Sequence, residues 1–345
     1  MRTNGAGGEI ILCMAASHTG HPFLQELADL GCRVVLLTIN EQRNADWPSA
    51  AIAELHSMPR GMTLQQITNT VTYLARSRKF VRIIALDNFN IQIAAALREH
   101  LRIPGMGVTT TRYFSDRLAA RLQAARTGLA VPAFTSIANY DELRQFMQAV
   151  PPPWLLTPRN ESLGSATRRL EESEQVWRSL DALGDHQSGY LLEQWIEGDR
   201  FHVDSIMANG TVLFSALSPC RGASEGTAEV EVLPSIEVSR NAGGIEKLRR
   251  ANTLLLSRMK MVRGVTHMEF LRSHATGDFY FMETSASVDD RCAASMTKQT
   301  HGLNLWVEWA KLEVAAMRGQ RYALPSAGRG RKGFPASTDV QHQLA

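Results

Sequence analysis

Two acidic residues, Glu269 and Glu283, stand in the stretch Thr266–Val288, THMEFLRSHATGDFYFMETSASV. The stretch reads as a β-hairpin, two strands around a turn over Ser273–Asp278 in which Gly277 supplies the permissive backbone. Period-two alternation puts His267 and Glu269 on one face of the first strand, with Met268 and Phe270 on the other. On the second strand it puts Glu283 with Ser285. A carboxylate in apolar surroundings is costly unless it is paired or binds a metal, so two of them on otherwise apolar strands ask for a shared cation. Oxygen donors of this kind suit Mg²⁺, which is held by one or two carboxylates together with substrate phosphates. The competing reading is a pair of carboxylates on a solvated strand edge, and the hairpin alone leaves both open.

The rest of the chain must build a sheet around this hairpin and present something to it. Its 345 residues are enough for two or three compact units, and 44% hydrophobic content is that of a soluble globular protein. A net charge of +3, with basic and acidic residues interleaved, gives no indication of nucleic acid as a partner. Cys13, Cys32, Cys220 and Cys292 are scattered with no CxxC spacing, as expected of reduced, packed thiols in a cytoplasmic protein. The apolar run Ile10–Ala16 reads as a first strand rather than a secretion signal, and no run approaches the roughly 18 to 20 residues that span a bilayer. No membrane role is expected.

Over residues 9–108, EIILCMAA, RVVLLTI and VRIIALD alternate with helices at about His21–Leu30, Thr63–Ser77 and Ile91–Leu101. This alternation predicts a Rossmann-like α/β unit with a parallel sheet. The turn SHTGHP lacks GxGxxG, so dinucleotide binding has no support, and His18 and His21 are read as loop and helix-start residues. Asp87, at the carboxyl end of the third strong strand, is a candidate substrate contact. A helix is predicted from Ser115 or Asp116 to Gly128, and for the four arginines between Thr111 and Gly128 a solvated face is the default. The strand Trp154–Thr157 runs into a loop whose Ser162, Gly164 and Ser165 could wrap phosphates with backbone N–H groups. Residues 190–216 read as a strand, a turn at Glu197–Gly198 and a hairpin about Asn209–Gly210, with His202 and Asp204 on one face. A polar loop, Ser218–Glu231, is long enough to act as a lid. Helices at Ile245–Met259 and Leu303–Arg318 complete the pattern, and the sequence from Ser326 reads as a mobile tail.

The order of these elements resembles the ATP-grasp superfamily, in particular its carboxylate–amine ligase and biotin-carboxylase-like members. The motifs that carry the resemblance are SDRLAARLQAARTGLAVPAF, WLLTPR, LLEQWIEG and MEF…FMETSAS, behind a Rossmann-like leader. It implies a leading domain over 1–108 and an ATP-grasp fold of two α+β subdomains over 109–325, ahead of the disordered tail expected over 326–345. It further implies that ATP lies between the subdomains, with backbone groups of Glu193, Gln194, Trp195 and Ile196 on the adenine edge. Arg117, Thr157 and His202 would stand at the nucleotide, and Glu269, Glu283 and Ser285 at Mg²⁺. The implied reaction is phosphorylation of a carboxylate to an acyl phosphate, followed by attack of an amine; the small-molecule substrates are not named by it. Such folds often pair, so a homodimer is among the expected partners.

The sequence departs from the family where charge matters most. Arg117 and Thr157 stand where lysines are usual, and Ser285 and Ser287 stand near the usual asparagine and arginine. Arg159 and Arg291 are the candidates to restore the missing catalytic charge, although arginine does not reproduce a lysine point charge. A charge-assisted phosphate contact is worth roughly 1.5 to 3 kcal/mol, so the alternative expectation is a weakened nucleotide-binding protein with a regulatory or scaffolding role.

Overall fold

The structure, a computed structural model, describes residues 8–160, 166–221, 231–232, 242–288, 297–298 and 301–325. Arg291, the Ser162–Gly164–Ser165 loop, most of the expected lid and the expected tail from Ser326 lie outside these residues.

The apolar runs near the N-terminus become strands buried on both faces, as parallel sheets require. Strands β1 (Ile10–Ala15), β2 (Arg33–Ile39), β3 (Ile52–Met58) and β4 (Phe80–Ala85) pair in parallel in the order β3-β2-β1-β4. Helices α1 (His21–Asp29), α2 (Leu64–Ala75) and α3 (Ile91–Leu101) run between or after them. A reciprocal capping box between Thr63 and Gln66 sets the start of α2. Strand β3 was not foreseen, because as the outer strand it is only half-buried and IAELHSM carries no apolar run.

A single turn, α4 (Val108–Thr111), leads to α5 (Arg117–Arg126), whose N-cap Asp116 accepts from the Leu118 amide at 3.0 Å. Strands β5 (Phe134–Ser136), β6 (Trp154–Pro158), β7 (Arg168–Leu170) and β8 (Tyr190–Gln194) form an antiparallel sheet in the order β5-β8-β6-β7. Helices α6 (Tyr140–Ala149) and α7 (Ser173–Leu183) pack on it over a small core that includes Leu143, Leu156, Val176 and Leu192.

The second antiparallel sheet holds β9 (Gly198–Ala208), β10 (Thr211–Arg221), β11 (Glu231–Val232), β12 (Gly264–Ser273) and β13 (Phe279–Ser285), in the order β11-β10-β9-β12-β13. Asn209 and Gly210 both take positive φ, 51° and 75°, as a two-residue hairpin turn with matching twist demands. At Gly198 a Cβ would lie 2.1 Å from the Arg272 carbonyl oxygen, so only glycine lets the chain leave β8 and enter β9 at this separation. The expected loop from Ser218 is corrected: β10 continues to Arg221, with Ser218 opposite His202. Helix α8 (Ala242–Arg258) precedes β12, and α9 (Leu305–Met317) follows β13.

The first and third sheets share one core, in which Leu12, Val35 and Val71 join Met259, Met268 and Phe270. Helix α9 packs back on α1 through Phe23 and Trp309, whose ring centroids are 4.8 Å apart, and Arg318 donates to Glu9 at 2.9 and 3.0 Å. The end of the chain thereby clamps the parallel sheet against the sheet that carries the acidic hairpin. Among the described residues no helix is long and apolar enough to cross a membrane.

Candidate functional site

The register of the third sheet decides which polar side chains share a face. Glu269 lies opposite Glu283 on β13 and opposite His202 on β9, while His267 lies opposite Ser285 and Asp204. All six project to the same side: alternation puts His202 with Asp204, His267 with Glu269 and Glu283 with Ser285, and the irregularity at Glu269/Phe270, which passes over Met282, brings Glu283 onto the face of Glu269. The solvated-edge reading does not hold for Glu269, which sits on an interior strand with its side chain 14% exposed.

Every charge on this face is engaged. Arg200 Nη1 donates to Glu269 Oε2 at 3.0 Å, and Arg117 Nε donates to Glu283 Oε2. His267 Nδ1 is 2.8 Å from Asp204 Oδ1, and its Nε2 is 3.6 Å from Glu269 Oε1. Burial by itself would lower the affinity of His267 for its proton, but Asp204 and Glu269 outweigh it and raise the imidazole well above its ordinary pKa. Burial would raise Glu269, yet the His267 imidazole 3.6 Å away and the nearby His202 and Arg200 charges hold its carboxyl well below the usual range.

A cavity of about 850 Å³ opens over this face. Its walls bring together Arg117, Arg159, Glu269, Glu283 and Ser285 from the expected set, with Ser17, His18 and Asn88 from the carboxyl ends of β1 and β4. Thr157 and Glu193 through Ile196 are not among its described lining residues, and His202 lies beneath it, its ring edge-on to His267 at 4.5 Å. Asp87 also reaches the wall, but its carboxylate accepts from the backbone amides of Ala16 at 2.5 Å, Ser17 at 3.1 Å and Asn90 at 3.1 Å. Burial raises its pKa against these bonds. Asp87 is a residue that fixes the turn after β1. Ser287 donates to Asn88 Oδ1 at 2.8 Å and sits 3.3 Å from Ser285 Oγ, which ties the end of β13 to the first sheet. His18 packs edge-on and His21 at a tilt against Trp47, with centroids 4.9 and 5.4 Å away, in an aromatic cluster at the start of α1.

The arginines of α5 depart from the solvated default. Arg121 is fully buried; its Nη2 meets Glu193 Oε2 at 2.7 Å and its Nε donates to the Met282 carbonyl at 2.7 Å. Burial lowers its pKa, opposed by Glu193. Thr157 Oγ1 donates to the other Glu193 oxygen at 2.8 Å, so the residue in place of a lysine completes an internal ion pair. The sequence reading missed Arg121, although its spacing of one turn from Arg117 puts both on one helix face. Arg159 forms a bidentate pair with the N-cap carboxylate of Asp116, at 3.1 and 2.5 Å, so its charge is shared at the cavity wall. In the expected adenine segment the Gln194 and Trp195 amides already donate to the Ala133 and Pro153 carbonyls, at 2.8 and 3.1 Å.

No protein-family model matches the chain. Among solved structures, an L-amino acid ligase from Bacillus licheniformis superposes with a TM-score of 0.70 at 17% identity, over 90% of this chain and 75% of that one. The biotin carboxylase domain of 2-oxoglutarate carboxylase from Hydrogenobacter thermophilus, solved as a dimer with MgADP, gives 0.73 at 16% identity over 91% and 70%. The chain has the ATP-grasp fold. Among curated proteins, an L-arginine-specific L-amino acid ligase of Bacillus subtilis is 22% identical over 245 residues, 68% of this chain and 58% of that protein. The chain thus spans less than two thirds of the length of the curated relative it matches. Within the ATP-grasp fold, the acidic hairpin, the α5 arginines and the carboxyl ends of the first sheet meet at one cavity.

Proposed function

We propose that this chain binds ATP with Mg²⁺ and activates the carboxylate of an amino acid as an acyl phosphate for attack by an amine. The observation that carries this reading is Glu269 facing Glu283 on the wall of a cavity into which Arg117 and Arg159 also project. The donor set fits the ion: two carboxylates adjacent across a strand pair, with the Ser285 hydroxyl beside them, are hard oxygen ligands. Mg²⁺ held there would neutralise charge on the phosphates. Arg117 and Arg159 would stabilise the negative charge that spreads over the transferred phosphoryl oxygens. Ser17, His18 and Asn88, at the carboxyl ends of parallel strands, stand where open α/β sheets receive ligands and would orient the substrate carboxylate. The amine nitrogen would then attack the acyl carbon and phosphate would leave. The amino acid ligases similar to this chain support an amino acid as the carboxylate.

One observation favours a second reading, a nucleotide-binding protein with weak chemistry and a regulatory role. Thr157 is consumed by Glu193 and Arg159 by Asp116, so residues 157–159, at and just beyond the end of β6, bring no unshared cation to the cavity. Phosphate release from MgATP across the amino acids, offered as carboxylate and as amine, separates the two, with Glu283→Ala as the control. Release above the control that needs both substrates supports the ligase. Calorimetric ATP binding without release supports the second reading, and absence of both overturns the two together.

A further inference from the structure

Beside the carboxylate pair lie two histidines that oxygen-only Mg²⁺ chemistry does not use. His202, His267 and Glu269 each offer one ligand atom, and these atoms all lie within 4.8 Å of one another. His202 and His267 are both buried, their rings meet edge-to-face, and the register places them on adjacent strands around Glu269. Two ligands about 2.0 to 2.2 Å from one ion are about 3.3 to 3.6 Å apart at the tetrahedral angle and at most about 4.4 Å apart when trans to each other. The 3.6 Å between His267 Nε2 and Glu269 Oε1 falls inside that range. His267 also carries the arrangement that metal-binding imidazoles need: its far nitrogen, Nδ1, is held at 2.8 Å by the buried Asp204 carboxylate. Such a partner fixes the ring orientation and strengthens the other nitrogen as a ligand. Glu269 lines the cavity, which leaves an open side for a water or a substrate oxygen.

We infer that His202, His267 and Glu269 form a site for a divalent first-row transition ion, with Asp204 as the positioning residue of His267. Two imidazole nitrogens favour Zn²⁺, Co²⁺ or Mn²⁺ over Mg²⁺, which takes oxygen donors and dehydrates reluctantly. The site revises the reading above at one carboxylate: Glu269 takes this ion, and Glu283 with Ser285 is left to the Mg²⁺ that accompanies ATP; it rests on that reading only there. It needs no nucleotide, so its test is independent of ATP binding.

Metal-free, nucleotide-free protein is titrated with Co²⁺ and read by visible absorption, with Mn²⁺ pulsed electron paramagnetic resonance on the same unsubstituted protein. The expected results are one equivalent of Co²⁺ with intense low-coordinate bands, displacement by one equivalent of Zn²⁺ but not by hundredfold Mg²⁺, and ¹⁴N coupling to bound Mn²⁺. His202→Gln and His267→Gln each weaken Co²⁺ binding by tenfold or more, and Asp204→Asn by about tenfold to hundredfold. Absence of ¹⁴N coupling, or Mg²⁺ competing on equal terms, overturns the site and leaves the histidines as a buried ion-pair network; neither reading needs a substituted chain to fold.

Discussion

Two of the places where the chain buries charge are built differently. At the β6–β8 sheet, Arg121, Glu193 and Thr157 pair with one another: both Glu193 oxygens have partners, Arg121 Nη1 alone among its nitrogens has no hydrogen-bond partner among the described residues, and neither Glu193 nor Thr157 is among the described residues of the large cavity. On the third sheet, Glu269 and Glu283 are also paired with arginines, but both open onto the cavity and their partners are part-exposed, 30% for Arg200 and 22% for Arg117. The first arrangement is closed, and a closed ion pair holds sheet and helix together. The second is open on one side, and an open array of charge has free energy to gain from a ligand. A buried carboxylate is thus evidence of binding only when its partners leave it a side facing space.

The comparison breaks if the closed pair proves dispensable. Arg121→Met leaves the Glu193 carboxylate buried without its cation, a loss of about 3 to 5 kcal/mol. Denaturant unfolding measures it, and Arg121→Met combined with Glu193→Leu is expected to recover most of the loss because no charge is then stranded. A single-variant cost below about 1 kcal/mol would show that water reaches this pair after all.

Glu283→Gln is the counterpart on the open side. It removes one half of the carboxylate pair, and the expected loss is about tenfold to hundredfold in Mg²⁺-dependent ATP affinity, the scale of one charge-assisted contact. Stability should move by less than about 1 kcal/mol, since Glu283 and Arg117 are both part-exposed. Calorimetry and a thermal melt on the same sample read the two effects.

Thr157→Lys sharpens the contrast from the other direction. On sequence grounds the substitution restores a phosphate-binding cation. In the folded chain it places a longer, charged side chain at a site 4% exposed, beside Glu193, which already serves Arg121. The expected outcome is a destabilisation of about 1 to 3 kcal/mol from overpacking, with no gain in ATP affinity. A tighter ATP complex would mean that Arg121 yields Glu193 to the new lysine and that the pair is not closed.

These differences show what was legible in the chain. Alternation over 264–273 and the turn at Gly277 are local, and they were enough to put His267 with Glu269 and Glu283 with Ser285; the pairing of Glu283 with Glu269 was not legible, because it needs the irregularity at Glu269/Phe270 that passes over Met282. Strand β3 hid because an outer strand, covered on one side, needs no apolar run. The end of β10 hid because Ser218, Pro219 and Cys220 look like loop while their backbone pairs with β9. Arg121 hid for a different reason: its burial depends on Glu193, 72 positions away, and helical spacing can say which residues share a face but not what that face meets. The same limit made Arg159 look like a spare cation until Asp116, the N-cap of α5, was found to hold it.

A third charge cluster, far from both, supplies the smallest effect and sets the scale for surface electrostatics. Glu54 on β3 meets Arg78 at 2.6 Å, Arg33 at 2.9 Å and His56 at 3.1 Å. The hydrogen bond from Arg78 is the main cause that brings its carboxyl from 4.5 down to about 2, against a modest contribution from burial. A carboxyl with a depressed folded pKa contributes stability that is fully present above its unfolded value and is lost as pH falls through its folded value. The advantage of the unsubstituted chain over Glu54→Gln should therefore stay level from pH 7 to about 5, shrink below about 4.5, and vanish near pH 2. At the plateau it should be about 1 kcal/mol, the upper end for exposed pairs, and it should fall with added salt. An advantage that persists unchanged to pH 2 would detach it from the carboxylate and assign it to packing of β3 instead.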